Sequence, residues 1–273
     1  MPAIDLDRYF ARIGYGGATE YGGATEPTPH TLSQLHLAHA RHIPFENLDV
    51  LLGRGIRLDL DALFAKLVTA GRGGYCFEQN HLFAAVLEQL GFGVRRLAAR
   101  VTWRTQRVLP RTHMLLQVTA GGRSWLADVG FGGMGPLLPL AFEPDTPQTQ
   151  YSWQYRLTEQ DGLWRLQSAV ADTWAGLYEF TVQEQAPADY EMANYYVSTH
   201  PDSRFVRGLV AHRLAPERRL ILIGNALTED TGRASTTRDL TDEQLTRLLV
   251  EVFALPPADV DAVVRRFPGG VPA

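Results

Sequence analysis

The period at which apolar residues recur changes about one third of the way along this chain of 273 residues. Up to about residue 90 the spacing is helical, in segments 5–13, 32–43, 60–70 and 76–90. Short strand-like runs follow, MLLQV, SWLADV, SWQYRL and LWRLQ, and they are bounded by Gly-Gly and Asp-Gly pairs typical of hairpin turns. Helices followed by antiparallel strands predict an α+β protein.

The last third of the chain mixes both periods. Residues 212–224 (HRLAPERRLILIG) predict a strand, and residues 240–255 predict a helix. Thr241 and Gln244 form a capping-box pair at the start of that helix, and a Pro-Pro pair at 256–257 is expected to end it. We therefore expect a small α/β unit after the strands.

The composition excludes several classes of protein. Hydrophobic residues make up 45% and charged residues 21%, which is ordinary for a globular chain. The net charge of -4 gives no basic surplus for binding nucleic acid, and no run approaches the ~18 apolar residues of a membrane span. The first segment carries two aspartates and does not resemble a secretory signal. We expect a soluble, cytoplasmic protein with no nucleic-acid or membrane partner, and nothing in the sequence indicates its oligomeric state.

A six-residue segment, YGGATE, occurs twice in tandem, at residues 15–20 and 21–26. Two copies of six residues are too few and too short for a solenoid. We interpret the repeat as a loop insertion without a function of its own.

Cys76 is the only cysteine, which rules out an intrachain disulfide and any zinc site built from several cysteines. Apolar residues from Phe83 to Leu90 follow an i, i+3, i+4, i+7 pattern, and Gly73 and Gly74 interrupt the chain just before the cysteine. Cys76 should therefore begin a helix of about four turns, where free N–H groups and the helix dipole favour a thiolate. The alternative, a buried structural thiol, would be expected in the middle of the apolar stripe.

A thiolate nucleophile needs a base, and the base needs a group to orient it. If the Gly-Gly pair at 121–122 forms a two-residue loop, Leu115 lies opposite Asp128, and His113 is one diagonal step away on the same face. A four-residue loop keeps this register, whereas a three-residue loop would shift it by one. The register predicts a hydrogen bond between His113 and Asp128. The alternative is that both are ordinary strand residues.

Three other patterns are open to a ligand-binding interpretation, and we favour a simpler one for each. The G-x-G-x-x-G spacing at 130–135 is followed by Pro136 rather than by the helix that a dinucleotide site needs. We expect these glycines to allow a close approach of a substrate. His36, His39 and His42 point in diverging directions on a helix and are interpreted as surface or cap residues, so no metal site is predicted. The Arg-Arg pairs at 218–219 and 265–266 are interpreted as solvated charge.

Four segments resemble those of the arylamine N-acetyltransferase family, and they occur in the order found in that family. They are IPFENLDVLLG (43–53), RGGYCFEQN (72–80), RTHMLLQV (111–118) and ADVGFGG (127–133). The resemblance implies an N-terminal helical bundle, an antiparallel β-barrel and a C-terminal α/β lid, with a core like that of cysteine proteases. We place these parts at residues 1–92, 93–200 and 201–273.

The resemblance also implies an activity. Cys76 would be the acetylated nucleophile, His113 its base and Asp128 the partner of the base. Acetyl-coenzyme A would be the acetyl donor, and arylamines, arylhydrazines and arylhydroxylamines would be the acceptors. The expected reaction is ping-pong, through an acetyl-cysteine intermediate.

Five further residues are assigned by the same resemblance. Phe45 and Phe131 would line the acceptor pocket. Thr112, Gly132 and Gly133 would contact coenzyme A near the nucleophile.

Two other functions remain open from the sequence. A thiol hydrolase or transglutaminase-like enzyme could use the same three residues. A non-catalytic redox or ligand sensor would need Cys76 but neither His113 nor Asp128.

Overall fold

The computed structural model describes residues 4–16, 23–105, 107–171 and 173–268. Part of the duplicated YGGATE segment, residues 17–22, lies outside the described residues. The loop interpretation of the repeat therefore stays a prediction.

The helices lie mainly before residue 90 and after residue 187. They are α1 (Leu6–Ile13), α2 (Pro29–His42), α3 (Leu48–Leu51), α4 (Leu60–Phe64), α5 (Cys76–Gln89), α6 (Pro187–Thr199), α7 (Arg204–Arg207), α8 (Asp242–Arg247) and α9 (Pro257–Arg266). The helices α4 and α8 each continue into a π-helical turn, Ala65–Thr69 and Leu248–Val252. The helical segments predicted in the first third are confirmed.

The strands occupy most of the middle of the chain and part of its end. They are β1 (Phe45–Glu46), β2 (Gly93–Val101), β3 (His113–Ala120), β4 (Arg123–Ala127), β5 (Leu140–Ala141), β6 (Gln148–Gln150), β7 (Trp153–Gln160), β8 (Leu163–Val170), β9 (Thr173–Phe180), β10 (Val210–Leu214), β11 (Arg219–Ile223), β12 (Ala226–Asp230) and β13 (Ser235–Asp239).

Eight of these strands form an antiparallel, nearly closed barrel in the order β5-β4-β3-β2-β9-β8-β7-β6. The two end strands, β5 and β6, are joined by side-chain amides. Gln148 Oε1 accepts a hydrogen bond from Ala141 N at 2.8 Å, and Gln148 Nε2 donates to Ala141 O at 3.0 Å. Gln150 Oε1 similarly accepts from Leu137 N and Leu138 N, each at 2.9 Å. These amides satisfy backbone groups at strand edges that would otherwise need water.

The predicted hairpin register is confirmed. Ala120 pairs with Arg123 and Leu116 with Ala127, around the loop formed by Gly121 and Gly122. Both glycines have positive φ, +58° and +73°, as a two-residue hairpin turn of this kind requires. The ladder brings the end of β4 next to the start of β3.

The remaining five strands form a second sheet, in the order β1-β10-β11-β12-β13. Here the sequence prediction was partly wrong. Residues 212–224 form two strands rather than one, because the chain reverses at 215–218, where Ala215 N donates to Arg218 O at 2.9 Å. The strands β12 and β13 were not predicted. All five residues of β13 are exposed, so this strand carries no apolar alternation.

The last two helices also differ from the prediction. The Thr241–Gln244 capping box is present. The helix ends at Val252, before the Pro-Pro pair, and Pro257 begins α9 instead of only ending what precedes it. Proline is tolerated at the first helical position because its missing N–H would have no partner there.

The helix α5 lies at the centre of the molecule. Eleven of its residues are buried, and it packs against β2 and β3. The short strand β1 pairs with β10, so the first part of the chain is hydrogen-bonded to the last. No helix among the described residues is both long and apolar enough to cross a bilayer.

Candidate active site

Cys76 is the first residue of α5, as predicted. Its Sγ lies 3.7 Å from Thr112 O, and the residue is 4% exposed. The preceding residue, Tyr75, is extended, and its N–H donates to Glu78 Oε2 at 3.0 Å. Free N–H groups in the first turn of α5 therefore lie beside the sulfur atom.

The glycines before Cys76 have a structural role. A Cβ on Gly73 would lie 2.2 Å from Pro44 O, and a Cβ on Gly74 would lie 2.6 Å from Glu78 Oε2. The space in front of both residues is filled by the protein itself. Neither glycine therefore leaves room for a substrate in the place of a side chain.

His113 begins β3, and Asp128 follows the last residue of β4. The bond from His113 Nε2 to Asp128 Oδ2 is 2.7 Å long, as the register predicted. Both side chains are buried, at 3% and 1% exposure. The ring of Phe131 meets His113 edge-on at 5.1 Å between centroids, and Tyr178 packs at 4.9 Å.

Burial and charge act in opposite directions on this pair. Burial lowers the pKa of His113, but the Asp128 charge and the interactions with Asp128 and Cys76 outweigh it and raise that pKa to about 10. Burial raises the pKa of Asp128, but His113, Asn80 and the Gly130 N–H outweigh it and hold that pKa below its usual range. The pair is therefore an imidazolium and a carboxylate at neutral pH.

Asn80 orients the pair and was not singled out from the sequence. It lies one turn after Cys76 on α5, and its Nδ2 donates to Asp128 Oδ1 at 3.0 Å and to Met114 O at 2.7 Å. Its Oδ1 accepts from Val129 N at 3.1 Å. The i, i+4 spacing from the cysteine was a signal that could have identified it.

His36 corrects the interpretation of the histidines as surface or cap residues. His36 and His39 are fully buried. His36 Nε2 accepts a hydrogen bond from Asp128 N at 3.0 Å. The ring proton is therefore on Nδ1, which donates to Leu137 O at 2.9 Å. Burial lowers the pKa of His36 to about 4, and the ring is neutral. It therefore holds the backbone N–H of Asp128, while His113 contacts the Asp128 side chain.

The glycine-rich loop after β4 packs closely on its neighbours. A Cβ on Gly130 would lie 2.7 Å from Cys76 Cα, so only glycine lets this loop contact the start of α5. Gly132 has φ +70°, and a Cβ there would lie 2.3 Å from His212 Nδ1. The protein fills the space that a Cβ would take at both glycines, but Gly130 also lines the cavity at the sulfur atom, so the expected close approach of a substrate stays a prediction.

A cavity of about 1060 Å³ opens at the sulfur atom. Its wall includes Cys76, Thr112, His113, Phe45, Phe131 and Gly133 among the predicted residues. Asp128 lies behind His113, and Gly132 lies behind the wall against His212. The wall also carries the arginines Arg104, Arg204, Arg207 and Arg233.

Within the described ranges, no group of three or more His, Cys, Asp or Glu side chains could hold a metal ion.

A buried cluster of charges supports the start of α5. Lys66 Nζ lies 2.7 Å from Glu78 Oε1 and 2.8 Å from Asp49 Oδ2. Arg72 contacts Glu46 at 2.8 Å and, across to α9, Asp259 at 2.9 Å. The cluster therefore fixes both the loop that precedes Cys76 and the C-terminal helix.

Arg219 was interpreted as solvated charge and is instead fully buried. Its guanidinium lies 3.9 Å from the centre of the Trp153 ring. Its Nη2 donates to Gly135 O at 3.2 Å and to the Tyr155 hydroxyl. The residue joins the second sheet to the barrel. Arg218, by contrast, is exposed and pairs with Glu229 at 3.1 Å.

The comparisons with known proteins agree on one family. Residues 28–260 match the family model described as N-acetyltransferase. The arylamine N-acetyltransferase of Mycobacterium tuberculosis is 46% identical over 231 residues, which cover 82% of this chain and 80% of that protein.

Two solved structures have the same fold. The M. tuberculosis arylamine N-acetyltransferase has a TM-score of 0.90 at 41% identity, with 96% of this chain and 99% of that chain covered. The Mycobacterium marinum arylamine N-acetyltransferase, solved in complex with CoA, has a TM-score of 0.88 at 37% identity and the same coverage. The chain therefore belongs to the arylamine N-acetyltransferase family of enzymes.

Proposed function

We propose that the enzyme transfers the acetyl group of acetyl-coenzyme A to the nitrogen of arylamines and arylhydrazines, and to the oxygen of arylhydroxylamines. In this proposal Cys76 is the nucleophile, His113 the acid and base, and Asp128 the group that orients His113. One observation carries it: the Cys76 sulfur lies at a helix N-terminus and opens into a large cavity, beside an imidazole held by a buried carboxylate at 2.7 Å.

The first half-reaction forms a thioester on the enzyme. In the ion-paired resting state the Cys76 thiolate attacks the acetyl carbonyl carbon, and the bond from that carbon to the coenzyme A sulfur breaks. The leaving thiolate takes the proton of the His113 imidazolium. Backbone N–H groups at the start of α5 are placed to stabilise the oxyanion.

The second half-reaction transfers the acetyl group to the acceptor. The amine nitrogen attacks the thioester carbon, neutral His113 accepts a proton from that nitrogen, and the Cys76 thiolate is released. The starting charges are thereby restored. Because donor and acceptor use the same sulfur atom in turn, we expect ping-pong kinetics.

The cavity wall supports the proposed substrate contacts. Phe45 and Phe131 present aromatic rings against which an aryl acceptor can stack. Thr112 and Gly133 line the same cavity, and we assign them to the donor. We infer that Gly132, which lies against His212, acts by shaping the loop. The M. marinum relative is described in complex with CoA, which supports coenzyme A as the donor.

We also propose that the chain divides at residues 92 and 200 into a helical part carrying the nucleophile, a barrel carrying His113 and Asp128, and a C-terminal lid. The reducing cytoplasm is the compartment in which a free catalytic thiol is kept active.

Initial rates measured at several fixed acceptor concentrations test the proposal. Acetyl-coenzyme A is varied against a panel of arylamines and arylhydrazines, and reciprocal plots should give parallel lines. Longer acyl donors are compared in the same assay. Intersecting lines would argue against an acetyl-enzyme, and steady coenzyme A release without any acceptor would favour a thioester hydrolase.

A further inference from the structure

His212 lies between residues that we assign to the acceptor pocket and residues that we assign to the donor. It lies on β10, opposite Phe45 on the neighbouring strand β1. The two rings stack, with 5.1 Å between centroids and 25° between planes. On its edge, Nδ1 accepts a hydrogen bond from Gly133 N at 2.9 Å. His212 thus contacts both Phe45, which we assign to the acceptor pocket, and Gly133, which we assign to the donor.

The ring must be neutral to make these contacts. Because Nδ1 accepts from an N–H group, the ring proton is on Nε2. Burial, and then the positive charge of Arg204, lower the pKa of His212 to about 3. The Nε2 atom is buried and has no hydrogen-bond partner within the described part of the chain.

The loop that His212 holds is tightly constrained. Gly132 approaches the ring so closely that a Cβ there would lie 2.3 Å from Nδ1. The buried N–H of Gly133 has its partner in this ring, and losing that acceptor would leave a costly unsatisfied group. The loop would then reorganise, and the donor side of the cavity would change with it.

We propose that His212 is a positioning residue, which fixes the loop of Gly132 and Gly133 against Phe45 and thereby sets the affinity for the acyl donor. This inference rests on the proposed function, because it assigns Gly133 to the donor side. His212 takes no part in the chemistry at Cys76. Its loss should therefore raise KM for acetyl-coenzyme A more than it lowers kcat.

Two variants separate the hydrogen bond from ring packing. His212→Asn places an amide oxygen close to the position of Nδ1 and can keep the acceptor while losing the ring. His212→Phe keeps a stacking ring but presents a C–H group to Gly133 N. We expect His212→Phe to raise KM for acetyl-coenzyme A about tenfold or more, and His212→Asn to stay within about threefold of the unchanged enzyme. In both variants kcat should change less than about threefold.

Each kinetic outcome bears on the inference. An unchanged KM in a folded His212→Phe variant, or an equal defect in His212→Asn, would overturn it. Release of one coenzyme A per enzyme in the absence of acceptor is measured alongside. Loss of this release in the unchanged enzyme would refute the proposed function, whereas its loss only in the variants would refute a purely positioning role.

Nitrogen NMR of the unchanged enzyme gives a test that does not depend on variants folding. The His212 ring should show a protonated Nε2 and an accepting Nδ1 throughout the neutral pH range. A ring that titrates near its ordinary value of 6.5, or one protonated on Nδ1, would overturn the inference.

Discussion

At the scale of single residues, the charge state of His113 decides how the site works. A neutral imidazole can only accept a proton, whereas an imidazolium can donate one to the leaving coenzyme A thiolate. The buried carboxylate of Asp128, 2.7 Å away, favours the imidazolium. The resting enzyme then holds on His113 the proton that the leaving group needs.

The first prediction concerns this charge. The nitrogen shifts of His113 should remain those of an imidazolium through neutral pH and change with a midpoint near 10, the raised pKa in the fold. Because this pKa lies above the ordinary 6.5, the stability that protonated His113 contributes is fully present below pH 6.5, as long as Asp128 stays ionised. It is lost as the pH rises through about 10. A midpoint near 6.5 would contradict the ion pair.

The second prediction is that Asp128→Asn lowers kcat at least ~100-fold while the protein stays folded. The amide cannot compensate the imidazolium, and it can present its NH2 group to the ring. The corresponding change in a serine triad lowers turnover by about ten-thousand-fold, and the loss should be smaller here because a thiol is easier to ionise than a hydroxyl. Activity above half of normal in folded Asp128→Asn would show that the reaction does not need the Asp128 carboxylate.

Sequence reasoning found the residues whose relation is local. Cys76 follows from a helix start, and the bond between His113 and Asp128 follows from one hairpin register. His36 and His212 reach the site from elements far away in the chain. Their partners depend on how α2 and β10 pack, and no spacing within the sequence encodes that packing.

At the scale of secondary structure, close contact between the loop after β4 and the start of α5 sets the geometry. The third prediction compares two Gly→Ala variants. In Gly130→Ala the new Cβ would lie 2.7 Å from Cys76 Cα, so the loop and helix must separate, and we expect an activity loss on the order of 100-fold.

Gly162→Ala is the matched control. Gly162 lies in the β7–β8 turn with φ +80° and nothing within 4 Å of a Cβ. The substitution should cost about 1 kcal/mol of stability, measured by urea unfolding, and leave activity unchanged. Equal activity in the two variants would show that the contact at Gly130 does not matter.

Some strands could be predicted from the sequence and others could not, and the difference has a physical cause. The strands β3, β4, β7 and β8 carry apolar residues that face a core, and Gly-Gly and Asp-Gly turn residues join them into hairpins. The strand β13 is exposed along its whole length, and β1 has only two residues. Such strands exist because neighbours supply their hydrogen bonds, which local sequence does not reveal.

At the scale of the whole molecule, ion pairs tie the C-terminal helix to the loop before the nucleophile. Asp259 on α9 contacts Arg72 at 2.9 Å and also Arg54. Its side chain is 15% exposed, so the pairs are only partly screened by water. The loop before α5 is thereby linked to the C-terminal helix α9.

The fourth prediction is that Asp259→Asn lowers the free energy of unfolding by about 2 kcal/mol, because Arg72 loses a buried partner. Glu243→Gln serves as control, since Glu243 forms an exposed pair with Arg247 and should contribute less than about 0.5 kcal/mol. Chemical denaturation of both variants measures the difference. Equal effects would show that the link between α9 and the Arg72 loop is not stabilising.

The general architecture followed from the sequence, but the relation between its parts did not. The change of period predicts helices, then an antiparallel sheet, then a mixed unit. The pairing of β1 with β10 and the packing of Arg219 on Trp153 join distant segments. Both depend on the tertiary arrangement, which composition and spacing leave open.

Mass mapping of the enzyme after incubation with acetyl-coenzyme A alone is the most direct test of Cys76 as the nucleophile. We expect one acetyl group per molecule, on the peptide that contains Cys76, and its complete removal when an arylamine is added. Cys76→Ser can form only an oxygen ester at this position, and it should not be acetylated at the normal rate. An acetyl group on any other residue, or transfer to the amine with Cys76 never modified, would show that Cys76 is not the nucleophile.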